Sequence, residues 1–195
     1  MEALLTLGRT IPFAFASGIN LYATVAVLGL CSRFNFVALP DQFRAFEHPL
    51  IIAIALVMYV VEFVADKVPW VDSLWDAVHT IVRPIGGALV AVTALGDATA
   101  GAQIAAALVG GSVAMTTHLG KAGTRAVANT SPEPFSNWAL SLGEDALAIG
   151  LTYVAIQHPL LALAIAVFLL VAIVACATVL LRSARGRFGR RSSRA

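Results

Sequence analysis

Pro159-Leu160-Leu161-Ala162-Leu163-Ala164-Ile165-Ala166-Val167-Phe168-Leu169-Leu170-Val171-Ala172-Ile173-Val174-Ala175-Cys176-Ala177-Thr178-Val179-Leu180-Leu181, closed by Arg182, runs from a proline to an arginine with no charged side chain between them. About 20 apolar residues in a helix cross ~30 Å of hydrocarbon, so this stretch has the length and composition of a transmembrane helix. Working outward from it, apolar runs bounded by proline, glycine and charge place further spans at 10–32, 48–66, 77–96, 101–120 and 137–156, with this one at 159–182. The runs are too long and too evenly apolar for barrel strands, and lipid offers no hydrogen bonds to an open backbone. The expected fold is all-α: a polytopic transmembrane helical bundle of about six spans.

Composition agrees. Of 195 residues, 59% are hydrophobic and only 12% charged, with a mean hydropathy of +0.85, which excludes an ordinary soluble domain. The chain reads as a single transmembrane domain over residues 1–182 and a basic, disordered tail over 183–195. Six of the thirteen basic residues lie in the last fourteen positions: Arg182, Arg185, Arg187, Arg190, Arg191 and Arg194. A basic run directly after an apolar helix is a topology signal that touches anionic lipid headgroups, and nucleic acid is not the expected partner. By the positive-inside bias both termini are cytoplasmic, in a bacterial inner membrane. Lys67, Lys121 and Arg125 fit that orientation. Arg33 and Arg44 do not; they lie in the first and longest external loop, the place for a short interfacial or re-entrant segment.

Cys31 and Cys176 fall near opposite faces, too far apart for a disulfide. Ala14-Phe15-Ala16 has the spacing of a signal-peptidase site, but Glu2 and Arg9 spoil the charge order, so it reads as part of an uncleaved first helix. His48-Pro49-Leu50 and His158-Pro159-Leu160 each open a long apolar helix. Each follows a helix with a polar break, at Ser17-Gly18-Ile19-Asn20 and Gly143-Glu144-Asp145, an echo that suggests an internal repeat with interrupted helices. Gly86-Gly87 and Gly110-Gly111 read as devices for close helix packing.

The stretch Glu62-Phe63-Val64-Ala65-Asp66-Lys67-Val68-Pro69-Trp70-Val71-Asp72-Ser73-Leu74-Trp75-Asp76-Ala77-Val78-His79, followed by Arg83-Pro84, concentrates the acidic character of the chain. Placing a charge near the hydrocarbon centre costs about 2.5–3.5 kcal/mol on insertion scales, so such residues find partners or line a pathway. Asp72, Asp76 and His79 recur at i, i+4, i+7 and share a helix face that suits a divalent cation, although no metal motif of diagnostic spacing is present. His118, Lys121 and Arg125 form a basic face at i, i+3, i+7 that would meet it. Interfacial anchoring beside Trp70 and Trp75 is the plainer reading of these charges. Glu144 and Asp145 lie within an apolar span, about 100° apart on a helix, so one can face a cavity while the other pairs with a neighbour. If the helix instead begins later, both are first-turn acids. Asn129-Thr130-Ser131-Pro132-Glu133-Pro134-Phe135-Ser136-Asn137 is a rigid connection in which Ser136 or Asn137 can cap the next helix.

The blocks Ser17-Gly18-Ile19-Asn20-Leu21-Tyr22-Ala23-Thr24, Glu62 through Arg83-Pro84, His118 through Lys121, Arg125, Asn129, Ser131-Pro132-Glu133-Pro134, and Ser141-Leu142-Gly143-Glu144-Asp145 resemble a family of small bacterial integral-membrane proteins known only as a domain of unknown function. The resemblance spans most of the chain up to Arg182 and implies a polytopic inner-membrane fold without an assigned activity.

These residues suggest a transporter or permease-like protein for a small anionic or lipid-linked substrate, proton- or cation-coupled. Its binding candidates are Asn20, Glu62, Asp66, Lys67, His118, Lys121, Arg125, Glu144 and Asp145. The alternatives are a metal-dependent enzyme acting on a phosphorylated lipid, with Asp72, Asp76 and His79 holding the ion, or a scaffold without a ligand. Six short helices enclose little volume, which suits a homodimer.

Overall fold

The structure is a computed structural model that describes residues 2–37, 39–130 and 135–192. Its elements are α1 (Glu2–Ile19), α2 (Leu21–Arg33), a 3-10 turn (Asp41–Phe46), α3 (Pro49–Ala65), α4 (Pro69–Leu95), α5 (Ala100–Ala128), α6 (Phe135–Gln157) and α7 (Pro159–Ser192). The all-α bundle expected from the sequence is present. Among the described residues, four helical segments are long and apolar enough to cross a membrane: Pro69–Leu95, Ala100–Ala128, Phe135–Gln157 and Pro159–Ser183. α3, at 17 residues, spans about 26 Å, close to the thickness of a bilayer core.

The first expected span is two helices. Asn20 takes an extended conformation (φ −147°, ψ 99°), and its side chain accepts the Ala23 N–H at 2.9 Å, so it ends α1 and caps α2. The polar break at Ser17–Asn20 is therefore real. The second break is not: α6 runs unbroken through Gly143-Glu144-Asp145, because nothing there competes for the backbone hydrogen bonds. Of the interrupted-helix echo, one half stands, together with the two His-Pro helix starts at α3 and α7. Pro69, at the first helical position with φ already suited to a helix, starts α4 earlier than expected, which makes the 69–76 hinge helical. α5 likewise extends to Ala128, and α6 begins at Phe135, which puts Ser136 and Asn137 inside its first turn. Ser131 through Pro134 lie outside the described residues. α7 continues as a helix to Ser192, ten residues past Arg182.

α1 is the axis of the bundle and packs on α4, α5, α6 and α7. Phe13, Ala14, Phe15 and Ala16 are completely or almost completely buried, so the triplet with signal-site spacing is core. Glycines set the closest approaches. A β-carbon on Gly87 would collide with Ala114, one on Gly110 with Ala91, and one on Gly18 with the Ala114 carbonyl, which locks α4, α5 and α1 together. The first loop carries the expected short segment: in the 3-10 turn Phe43 is fully buried and meets Phe13 edge to face at 5.6 Å. Outward faces are apolar, with Val57, Leu89, Leu108 and Phe168 exposed, as lipid solvation requires.

Candidate functional site

A helix that stops inside a bundle leaves its last carbonyls without partners. Here the carbonyls ending α1 are met by cations from two other helices. Arg83 Nη1 donates to Gly18 O at 3.1 Å, and Lys121 Nζ donates to Ile19 O at 3.3 Å. Positive charge is favourable at a helix C-terminus, so the break and the cations stabilise each other.

Those cations open a buried network. Arg83 Nη2 donates to Glu62 Oε1 at 2.6 Å, and both side chains are fully buried. Lys121 Nζ reaches Glu62 Oε1 at 3.1 Å, Asp66 Oδ2 at 3.4 Å and Glu144 Oε2 at 3.4 Å. One turn on, Arg125 grips Glu144 through Nε (3.1 Å) and Nη2 (2.7 Å) and Asp66 Oδ2 through Nη2 (2.6 Å). Its Nη1 donates to the Asp66 and Asn137 carbonyls. Lys121 and Arg125 of the basic face thus meet Glu62 and Asp66 at the end of α3, and Glu144 has cations that its local sequence does not contain. At the break, Asn20 Nδ2 donates to Asp145 Oδ1 at 2.9 Å, and Tyr59 donates to Asp145 Oδ2 at 3.4 Å. The adjacent acids part, and both find partners: Glu144 turns to α5, Asp145 to the start of α2 and to Tyr59. Lys67 donates to Phe63 O and Ser141 Oγ and lies over the Phe63 ring.

The histidines are held by their neighbours. Arg83 Nη1 donates to His118 Nδ1 at 2.9 Å, so the His118 proton is on Nε2, which faces the Asp76 carbonyl at 3.1 Å. His79 Nδ1 faces the Trp75 carbonyl at 2.8 Å and takes the proton there, while Nε2 meets the Tyr22 hydroxyl at 3.0 Å.

Asp72, Asp76 and His79 share a face of α4 without converging. Asp72 accepts from Asn129 Nδ2 at 2.8 Å, Asp76 lies 4.0 Å from Arg83, and His79 turns to Tyr22. Among the described residues no three His, Cys, Asp or Glu side chains are arranged to hold a metal ion. A shared helix face sets direction, and the partners on α2, α4 and at the end of α5 decide where each of these three side chains ends.

Charge in the network is unequal. Six carboxylates (Glu62, Asp66, Asp72, Asp76, Glu144, Asp145) face four fixed cations (Lys67, Arg83, Lys121, Arg125). Asp72 and Asp76 are weakly ion-paired, each 4.0 Å from the nearest guanidinium nitrogen, and Asp145 is held among the described residues by the neutral donors Asn20 and Tyr59. One oxygen each of Glu62, Asp66, Asp72 and Asp76 is buried without a hydrogen-bond partner among the described residues. Arg83, the hub of this network, is absent from the sequence-based candidates. Its signal was present, an arginine in the middle of an apolar span with no acid within three residues.

Beside the network, α1, α5, α6 and α7 line an open cavity of about 470 Å³ with apolar walls and with Lys121 and Glu144 as its charged lining residues.

A helical bundle with apolar outer faces and a buried ionisable network at a helix break defines a multi-helix membrane protein. The family described as Domain of unknown function (DUF4126) matches residues 7–178, and the chain belongs to it. The match ends near the start of the basic tail, which is the extent that the sequence blocks implied. No curated protein and no solved structure matches the chain.

Proposed function

We propose that this is a permease-like protein of the inner membrane in which the buried network couples movement of a small or lipid-linked substrate to a proton or cation. The observation that carries the reading is the acid excess at a broken helix. Burying ionised groups costs several kcal/mol each unless they are paired, so a network with two more acids than fixed cations favours an exchangeable positive charge. A helix interrupted among such groups exposes backbone carbonyls and N–H groups to whatever binds there, which is the arrangement used by secondary transporters. The basic face of His118, Lys121 and Arg125 is already spent on carboxylates and backbone, which disfavours the anionic form of the substrate. In this reading residues 1–182 act as one transmembrane domain, with the termini on the cytoplasmic side.

The test is flux. Proteoliposomes containing a lumenal pH dye are exposed to small anions, small amines, alcohols and single-chain amphiphiles, in sodium and in potassium buffers. At least one class is expected to drive proton or cation movement in the wild type, and Asp145→Asn is expected to abolish it. Absence of coupled movement with every class in a folded, reconstituted protein would refute the proposal.

A further inference from the structure

We infer that the cavity between α1, α5, α6 and α7 binds a single-chain amphiphile whose head donates hydrogen bonds, an alcohol or an ammonium, and rejects carboxylate and phosphate heads. This deepens the permease reading by naming the class of substrate. The walls are hydrocarbon, from Phe15, Leu140, Leu147, Leu169 and Ile173. Leu142 and Phe168, next in sequence to the lining residues Gly143 and Leu169, are exposed on apolar helices, and the cavity is open, so a chain can enter from the bilayer.

The charged lining residues select the head. Lys121 has three N–H donors, and Ile19 O, Glu62 Oε1, Asp66 Oδ2 and Glu144 Oε2 already compete for them at 3.1–3.4 Å. Arg125 is committed to Glu144, Asp66 and two carbonyls. Neither cation has a donor to offer an incoming anion. Glu144 differs: at 13% its side chain is the most exposed of the carboxylates in these ion pairs. Among the described residues its Oε1 accepts from Arg125 Nε, and a carboxylate oxygen accepts two hydrogen bonds. The unused capacity of the charged lining is therefore acceptor capacity. An N–H or O–H head satisfies it, an ammonium also offsets the acid excess behind it, and an anionic head meets a carboxylate with no compensating donor.

Cys176 lines the cavity and is exposed, whereas Cys31 is buried in α2, so thiol protection reports occupancy in the unmodified protein. In phosphatidylcholine nanodiscs, alkylation of Cys176 by N-ethylmaleimide is followed with dodecylamine, 1-dodecanol or dodecanoate present. Dodecylamine and dodecanol are expected to slow the reaction, the amine at roughly tenfold lower concentration because its hydrogen bond is charge-assisted, and dodecanoate to leave the rate unchanged. Glu144→Gln should reduce the amine to the level of the alcohol. Because that variant also disturbs Arg125, a second one carries the test: Gly143 lines the cavity and a β-carbon there meets no atom within 4 Å, so Gly143→Phe is expected to occupy the cavity and abolish protection at an unchanged melting temperature. Dodecanoate protecting as well as dodecylamine, protection surviving Gly143→Phe, or no protection by any of the three would overturn the inference. Protection without coupled flux would leave it standing and remove the permease reading.

Discussion

Arg83 and Asp76 offer opposite outcomes from one network. Arg83 is fully buried and its Nη atoms donate to Glu62, Gly18 O and His118 Nδ1. Arg83→Met keeps much of the volume, removes all three donations and widens the acid excess, so Glu62 is left with Lys121 alone. Breaking a buried ion pair from one side costs about 3–5 kcal/mol. At ~2–4 °C per kcal/mol for a chain of this size, the melting temperature should fall by roughly 6–20 °C. Asp76→Asn removes a weakly paired acid, 4.0 Å from its nearest cation, from the side that is in surplus. It should leave stability unchanged or raise it, and in the double variant it should recover part of the Arg83→Met loss. Intrinsic tryptophan fluorescence during thermal unfolding in one detergent reads all three variants. An Asp76→Asn loss as large as that of Arg83→Met, or an Arg83→Met variant that melts with the wild type, would refute the charge-balance argument.

Asn20→Ala removes both the cap of α2 and the donor to Asp145, and should cost about 1–2 kcal/mol, seen as a lower melting temperature. Gly87→Leu should cost about 1–3 kcal/mol or prevent assembly, because its β-carbon collides with Ala114, while Gly123→Ala, with nothing within 4 Å of the added carbon, should change melting little. Phe13→Ala opens a cavity at the fully buried centre of α1 and should cost about 3–5 kcal/mol, which a denaturant or thermal series will resolve. A chelator should leave the melting temperature unchanged, since Asp72, Asp76 and His79 turn to separate partners; a fall on chelation, restored by a divalent ion, would count against this account of the α4 face.

The sequence by itself determined the class of fold. Runs such as Pro159–Leu181 can only be solvated by lipid, and in lipid an unbroken apolar segment satisfies its backbone as a helix. It also disclosed the break at Asn20, whose side chain can replace a backbone acceptor, the packing role of Gly87 and Gly110, and which ionisable residues had to be accounted for. These are properties of single segments. Only the tertiary structure decided how the charges are shared. Helix periodicity puts Asp72, Asp76 and His79 on one face, but a side chain turns to its nearest partner, and those partners lie on α2, α5 and the helix itself. Gly143-Glu144-Asp145 resembles a break in one dimension and is continuous in three, because Arg125 and Asn20 take the two acids from outside the helix and leave its backbone intact. Glu144 lies 19 residues from Arg125, and Asn20 lies 125 from Asp145. Pairings at such separations follow from how α1 packs against four other helices, a contact pattern that the apolar runs leave open because lipid and protein bury them equally well.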